Sequence, residues 1–523
     1  MAKRLAAVRA GEDEPSPREV QHALRDVVGR CVYGVDVNPM AVELCKVSLW
    51  MEAIEPGRPL SFLDSHIRAG NAVVGTTGPK LMADGVPDVA WTAVKGEDKG
   101  IASRLKKSNQ SWKQRELFRA DAALQDAQVG AAFAQVESAD DSTRDALARK
   151  EQAWKEAEEG ASARPARLAD LWCAAFFWPK QAGAVEQAAP VRGVWEDMRR
   201  AAESVPAATL RITEQLARRY GFFHWHLAFP TVFRRGGFDV ILGNPPWDEL
   251  SPDQREFFGQ YRSNMRSLSR EERERVIAEL RADESIARAW ADRLHDLYST
   301  LHFLKNSGRF TLYAPGNLGK GDFNVYRMFV ELALRGVRAG GYVGQLAPAA
   351  LYGGANASGI RKFLLDHNRL QLLLGCENKG ESFFPGVHPQ TWFAAEFTQG
   401  HRRRRRKHWP RVDLLRQPIS RRRDLRARTR GNELSPVAGQ RRGLSACLRV
   451  RAAEPADVVD LRDSWTRADK GHERRSSEVG IGRLTPGGQS PPQGATPRNM
   501  SREIPQSFQA ALRVRFPPPP FFR

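Results

Sequence analysis

Cysteine is scarce in this chain, and long apolar runs are missing from it. The longest strongly apolar run, Leu171 to Trp178, is far shorter than the roughly 20 residues of a membrane-spanning helix. The first residues show no signal-peptide pattern. The five cysteines form no Cys-x-x-Cys pair, which argues against a zinc site or a disulfide framework and fits a reducing compartment: Cys31, Cys45, Cys173, Cys376 and Cys447. We therefore expect a cytoplasmic protein with no membrane partner.

An even spread of charge is also lacking. The 523 residues carry a net charge of +20 at pH 7, but residues 401–523 hold 27 Arg and 2 Lys against 11 acidic residues. Residues 1–400 are therefore nearly neutral, and the overall charge says little about them. Hydrophobic periodicity also disappears after about residue 400. Two interpretations of this tail remain open: a disordered basic arm that binds phosphates, or GC-rich sequence read out of frame after about residue 397. We do not predict DNA binding from the tail.

Hydrophobic patterning predicts an α/β fold. A short β-branched run at 31–37, an apolar-faced helix and a second strand before Gly70 form a strand–helix–strand unit, which is typical of a parallel sheet. Ala, Glu, Arg and Lys dominate the next stretch, which predicts a helical insertion with solvated charges. Strand-like and aromatic sequence returns at 218–247, followed by helices at 251–306. The predicted regions are residues 1–99, 100–217, 218–400 and 401–523.

The sequence FDVILGNPPW, at residues 238–247, ends a strand-like run in Asn244, Pro245, Pro246 and Trp247. Two adjacent prolines stop a ladder or helix and hold the backbone rigid. A rigid backbone can aim a carbonyl and the Asn244 amide oxygen at one exocyclic amine, which has two N–H donors. The indole offers a stacking face for a base. This combination predicts a pocket for an adenine turned out of a duplex. The plainer alternative is a Pro-Pro turn beside a core tryptophan.

Two further polar residues follow strands. Asp36 ends the run VYGVDVNP, where a carboxylate can accept both hydroxyls of an adenosine ribose. Its alternative role is at the N-terminus of the next helix, although Asn38 is better placed as that cap. Asn71 follows Gly70 after the second strand, where it could bond an adenine ring or merely form a turn.

Together these stretches resemble the class I, S-adenosyl-L-methionine-dependent N6-adenine DNA methyltransferases, and most closely the type IIG restriction–modification and related phage-defence methylases. The resemblance covers about residues 1–397 and rests on several stretches: YGVDVNPMAVELCKVSLW, LSFLDSHIRAGNAVVG, FFHWHLAFPTVF, FDVILGNPPW, DFNVYRMFVELAL and FFPGVHPQTWFAAEF. It implies that residues 1–99 are part of the cofactor-binding half and residues 218–400 the catalytic half. The implied partners are double-stranded DNA with a flipped adenine and a restriction endonuclease domain or subunit.

The resemblance also assigns roles to single residues. Asp36 would bind the cofactor ribose and Asn71 its adenine ring. Asn244 and Pro245 would hold the target amine, next to Pro246. Trp247 would stack on the flipped base, with Phe383 or Phe384 packing on its other face.

One family feature is not found: a glycine-rich first-strand motif is not seen before Val32. We therefore expect an incomplete doubly wound, Rossmann-like sheet, and the chain resembles a damaged gene fragment. A catalytically inactive remnant is the main alternative function. A Rossmann oxidoreductase using Asp36 lacks a GxGxxG motif and leaves the NPPW motif unexplained. His224 and His226 would share one strand face, but two ligands without a third argue against a metal site, and packing beside Trp225 is simpler.

Overall fold

The computed structural model describes residues 1–112, 122–201, 204–265, 267–312, 323–367, 369–378, 392–400 and 411–414. The helices of the N-terminal and middle parts are Ala2–Ala10 (α1), Pro17–Cys31 (α2), Pro39–Ala53 (α3), Lys99–Ser111 (α4), Ala122–Ser138 (α5), Arg144–Glu159 (α6), Ala163–Phe177 (α7), Ala184–Gln187 (α8), Arg192–Arg200 (α9) and Ala207–Tyr220 (α10). The later helices are Trp225–Ala228 (α11), Pro230–Arg234 (α12), Gln254–Gly259 (α13), Arg270–Arg281 (α14), Glu284–Asn306 (α15), Tyr326–Gly336 (α16), Ala350–Gly353 (α17) and Ser358–Asp366 (α18).

The described strands form two sheets. The first contains Gly34–Asp36 (β1) and Ile67–Ala69 (β2), which run parallel. The second has the order β3-β4-β6-β5-β7, in which β3/β4 and β5/β7 are parallel and β6 is antiparallel to both of its neighbours. Its strands are Phe238–Gly243 (β3), Val337–Pro348 (β4), Leu370–Glu377 (β5), Trp392–Gln399 (β6) and Arg411–Leu414 (β7).

Local sequence explains where several helices begin. Ser16 and Glu19 form a capping box at the start of α2, and Ser269 and Glu272 form another at α14. At the start of α3 the Asn38 side chain accepts a hydrogen bond from the Met40 amide at 3.0 Å, with a proline at the first helical position. The polypeptide therefore turns sharply from β1 into α3, and this turn sets the position of Asp36.

The largest hydrophobic core is built around α7. Its apolar run is fully buried, so the stretch that was too short for a membrane span is a core helix. The same core contains Val35 of β1 and Val73 and Val74, which follow β2, and Phe238 of β3 packs against it. One core therefore contacts both sheets.

Among the residues that the structure describes, no helix is long and apolar enough to cross a membrane.

The two sheets meet through side chains at the beginnings of their strands. The Tyr33 ring, just before β1, lies 5.5 Å from the Phe238 ring at the start of β3, measured between centroids. Both rings also contact Phe229, at 5.2 and 5.9 Å. Each such ring pair contributes about 0.5–1.5 kcal/mol beyond its buried area. We call the following set the aromatic cluster: Tyr33, Phe223, Trp225, Phe229, Phe233 and Phe238.

The predicted mixture of helices and strands is confirmed, as are the helices expected within 251–306. A continuous sheet is not formed by the described residues, because β1 and β3 are not paired with each other. Val240 and Leu242 of β3 are accordingly 53% and 63% exposed. The described parts of 100–217 are largely helical, but their separation as an inserted region stays a prediction.

Two expectations about local structure were wrong. The aromatic stretch after Tyr220 was expected to be strand-like, but it forms α11 and α12, because its rings fill the space between the sheets rather than lining one sheet face. Proline at the first position of α12 suits a helix start. The tail was expected to be an Arg/Pro-rich segment of low order, whereas its residues Arg411–Leu414 form a strand that pairs with β5. The rest of the tail lies outside the described residues.

The imidazole of His66 provides a pH-dependent test of this packing. It is buried with its ring 4.2 Å from that of Tyr33, and burial, helped by the Lys150 charge, lowers its pKa to about 4. The unfolded chain takes up this proton near pH 6.5 and the folded one only near pH 4, so stability falls as the pH drops through that window. Between pH 7 and pH 5 we expect His66 to contribute about 2 kcal/mol of this loss. In His66→Phe that part should vanish in urea titrations at the two pH values; an unchanged pH dependence would contradict the assignment.

Candidate functional site at the carboxyl ends of the strands

Asp36 and Asn71 lie side by side at the ends of β1 and β2. The parallel register pairs Asp36 with Ala69, and the Gly70 amide donates to the Asp36 carbonyl oxygen at 2.8 Å. Asn71 is the next residue. The carboxyl ends of adjacent parallel strands are where open α/β sheets place their ligand-binding groups. The structure therefore brings the two predicted cofactor residues together, although 35 positions separate them in the sequence.

Asp36 is half-buried, and one of its two carboxylate oxygens is used in a hydrogen bond within the protein. Its Oδ1 accepts a hydrogen bond from the Asn38 amide at 2.8 Å, while Asn38 itself caps α3. Burial raises the pKa of Asp36, and the Asn38 hydrogen bond opposes that rise. As predicted, Asn38 rather than Asp36 is the cap of α3. Asp36 therefore retains hydrogen-bond acceptor capacity that can face a ligand.

Asn71 is almost fully buried, at 4% exposure, and its side chain shapes a turn. Its Oδ1 accepts a hydrogen bond from the Val73 backbone amide at 3.2 Å, and the backbone amide of Asn71 donates to the Gly221 carbonyl at 2.6 Å. The turn that we gave as its plainer role is therefore present. A role in binding an adenine ring stays a prediction.

The segment that follows α10 holds the loop of residues 70–76 from one side. The Phe223 amide donates to the Val74 carbonyl at 2.8 Å, and the Trp225 indole donates to the Ala72 carbonyl at 2.9 Å. The approach is so close that a Cβ on Gly75 would lie 2.0 Å from the Phe223 carbonyl oxygen. These contacts fix the backbone directly behind Asn71.

His224 belongs to the same support. Its Nδ1 lies 2.9 Å from the Thr76 hydroxyl and accepts from the Thr76 amide at 3.1 Å, while Nε2 lies 3.0 Å from Asp170 Oδ1.

Burial lowers the pKa of His226 to about 3. The strand face that the two histidines could have shared is not formed, since His226 lies in α11. Among the described residues, no cluster of three or more His, Cys, Asp or Glu side chains is placed to hold a metal ion.

The Asn244–Trp247 segment leaves the carboxyl end of β3, in the second sheet. Asn244 is exposed, Pro245 is buried and Pro246 is half-buried. The following backbone is anchored to the start of α16, where the Val325 amide donates to the Asp248 carbonyl at 3.1 Å. The two prolines and this backbone hydrogen bond restrict the segment, and Asn244 at its start is exposed.

Trp247 is half-buried and packs against a hydrophobic cluster formed by α16, β4, α18 and β5. The packing that the plainer alternative predicts for this residue is therefore present. Phe383 and Phe384, predicted to face the base, lie outside the described residues. Base stacking at Trp247 stays a prediction.

Sequence reasoning missed the residues that support the site rather than line it. Arg309 donates to two carbonyl oxygens of the 70–76 loop, and His224 holds Thr76. A lone arginine more than 230 positions away from the loop gives no local signal. The glycines of GNAVVG were a weak signal for the loop, because Gly75 adopts a φ of +142°.

The candidate site residues fall in a region that is similar to a known protein family. Residues 30–272 match the sequence profile of the Eco57I restriction-modification methylase family. The match spans Asp36, Asn71 and the Asn244–Trp247 segment, and it supports a DNA methyltransferase of a restriction–modification system. No curated protein matches the chain.

Two glycines of the loop region give a matched test of the close approach. Gly75→Ala places a Cβ against the Phe223 carbonyl and forces a backbone conformation that L residues avoid, so we expect a loss of at least about 2 kcal/mol of unfolding free energy. Gly78→Ala is the control, because a Cβ there meets no atom within 4 Å. Denaturant titration measures both variants. Equal stability of the two would show that the loop does not pack as described.

Proposed function

We propose that this protein is a site-specific DNA methyltransferase that transfers a methyl group from S-adenosyl-L-methionine to N6 of adenine, within a restriction–modification or phage-defence system. The observation that carries the proposal is the position of Asp36 and Asn71 at the carboxyl ends of the paired strands β1 and β2, together with the proline-restricted Asn244–Trp247 segment at the carboxyl end of β3. The family match over residues 30–272 supports it. In this proposal the two sheets are parts of one Rossmann-like methyltransferase fold.

The residues at β1 and β2 suit the adenosine part of the cofactor. A half-buried carboxylate with one oxygen in a turn keeps acceptor capacity for a ribose diol. Asn71, beside it, has an amide group for the edge of an adenine ring. When bound, S-adenosyl-L-methionine supplies an electrophilic methyl group. Asp36 and Asn71 would orient it by holding its nucleoside.

The residues at β3 suit an exocyclic amine. The Asn244 amide oxygen and the Pro245 carbonyl oxygen would accept the two amine hydrogens of a flipped adenine, and Trp247 would stack on its ring. Accepting both hydrogens favours a tetrahedral nitrogen and frees its lone pair for attack. This is catalysis by positioning and electrostatic preorganisation, and it uses no covalent intermediate with the protein.

The direct experiment incubates the protein with S-adenosyl-L-methionine and DNA from a host without adenine methylation, and quantifies methylated nucleosides by mass spectrometry. We expect N6-methyladenine from the wild type. Asn244→Ala should lower the rate by a factor of about 10² or more, because it removes one of the two amine acceptors. Asn264→Ala, an exposed asparagine between α13 and α14, is the matched control and should keep full activity. Methylation of cytosine alone, or equal rates in both variants, would contradict the proposal.

The second candidate is a non-catalytic remnant of such an enzyme, which is favoured by the exposure of Val240 and Leu242 and by the lack of pairing between β1 and β3 among the described residues. Titration calorimetry with S-adenosyl-L-methionine separates the two functions. The methyltransferase proposal predicts saturable binding that is weakened about tenfold or more by Asp36→Ala, because a charge-assisted hydrogen bond to the ribose is lost. Wild-type protein that binds no cofactor would favour the remnant.

A further inference from the structure

Arg309 binds the loop of residues 70–76 through its guanidinium. Its Nη2 donates to the Ala72 carbonyl at 2.7 Å and its Nη1 to the Gly75 carbonyl at 2.8 Å. Because a guanidinium is planar and rigid, binding both oxygens fixes the spacing between them. One side chain from the segment after α15 thus adds two hydrogen bonds to those that Phe223, Trp225 and His224 make with the loop between Asn71 and Thr76.

Arg309 is buried, so its charged guanidinium depends on contacts within the protein. It is 3% exposed, with its guanidinium 5.1 Å from the centre of the Phe310 ring. Burial lowers its pKa to about 10, so it stays charged at neutral pH. Charged groups are rarely buried unless they are bound on several sides. A shorter apolar residue would fill this place at less cost if only packing were needed.

The other end of the same segment is held by Glu331 of α16. Glu331 is 1% exposed, and its carboxylate accepts hydrogen bonds from the Thr311 and Leu312 amides at 2.9 and 3.0 Å. Arg335, one turn further along α16, donates to the same carboxylate at 2.8 Å and to the Thr311 hydroxyl at 2.6 Å. α16 runs directly into β4, which pairs with β3.

Residues 309–312, which we call the strap, therefore connect the loop beside Asn71 to the helix behind β3. The two sheets share no strand pairing among the described residues. The aromatic cluster connects them at the beginnings of β1 and β3, and its members Phe223 and Trp225 also bond the 70–76 loop. The strap acts elsewhere, between the loop that follows the carboxyl end of β2 and the middle of α16.

We propose that Arg309 and Glu331 are positioning residues that set the two halves of the site against each other. Arg309 fixes the cofactor loop, and Glu331 fixes the strap to the base-binding half, so that methyl donor and amine are held in line. This inference rests on the proposed function. It predicts different defects at the two ends of the strap, which a general loss of stability would not produce.

The first measurement needs no cofactor. Amide hydrogen exchange of the full chain should show residues 72–76 exchanging about tenfold faster or more in Arg309→Met, with the β3–β4 ladder unchanged, because two hydrogen bonds to the loop are gone. Arg309→Lys should lie between this variant and the wild type. The matched control is Arg192→Met. Arg192 is also a buried arginine with one Nη on a carbonyl oxygen, but it lies in α9 away from the loop.

The second measurement separates binding from transfer. Calorimetry with S-adenosyl-L-methionine should give an about tenfold or greater loss of affinity for Arg309→Met, partial rescue in Arg309→Lys, and an affinity within about threefold of wild type for Glu331→Gln. At saturating cofactor and DNA, Glu331→Gln should lower kcat by about tenfold to 10², the scale of a misplacement of about 1 Å. Arg192→Met should change neither quantity.

The outcomes are distinct. Wild-type affinity in Arg309→Met, or wild-type kcat in Glu331→Gln, overturns the inference while leaving the proposed function intact. Equal losses of affinity and kcat in both variants also overturn it, because that pattern indicates general unfolding. Wild-type protein that binds no cofactor overturns the proposed function, and the inference with it. Faster loop exchange with the predicted split between affinity and kcat supports both.

Discussion

The packing of Tyr33 against Phe238 is the contact on which the arrangement of the candidate site depends. β1 with β2 and β3 with β4 are separate parallel pairs, and the aromatic cluster connects them where these strands begin. The position of Asp36 and Asn71 relative to Asn244 therefore depends on side-chain packing rather than on a shared hydrogen-bond ladder. A hydrogen-bond ladder would fix the register between the strands of the two sheets directly, whereas packing leaves that register to be set by other contacts.

Those other contacts come from segments distant in sequence. The loop beyond Asn71 is bound by the residues after α10, by His224 and by Arg309, and its backbone groups are largely satisfied by these partners. Buried backbone groups need such partners. The half of the candidate site at β1 and β2 is thus held by these contacts, and the strap connects it to α16. A division into two rigid halves with a defined link suits a reaction that must align two bound groups.

Much of this could be predicted from sequence because the signals are local. The capping residues Ser16, Asn38 and Ser269 act within one turn of helix, and the strand-to-proline change at Asn244 is visible in ten residues. The fold of the aromatic stretch after Tyr220 could not be predicted, because its rings gain more from filling the gap between two sheets than from any periodic pattern. Arg309 and Glu331 could not be found either, since their partners are hydrogen-bonding groups of a backbone that only the fold brings near.

The most direct test of the account is a crystal structure of the full chain with S-adenosylhomocysteine and a short DNA duplex. We predict the nucleoside beside Asp36 and Asn71, the homocysteine sulfur directed toward Asn244, and an adenine turned out of the duplex against Trp247. A cofactor bound away from the ends of β1 and β2, or a base that stays stacked in the duplex with Asn244 facing solvent, would contradict the account.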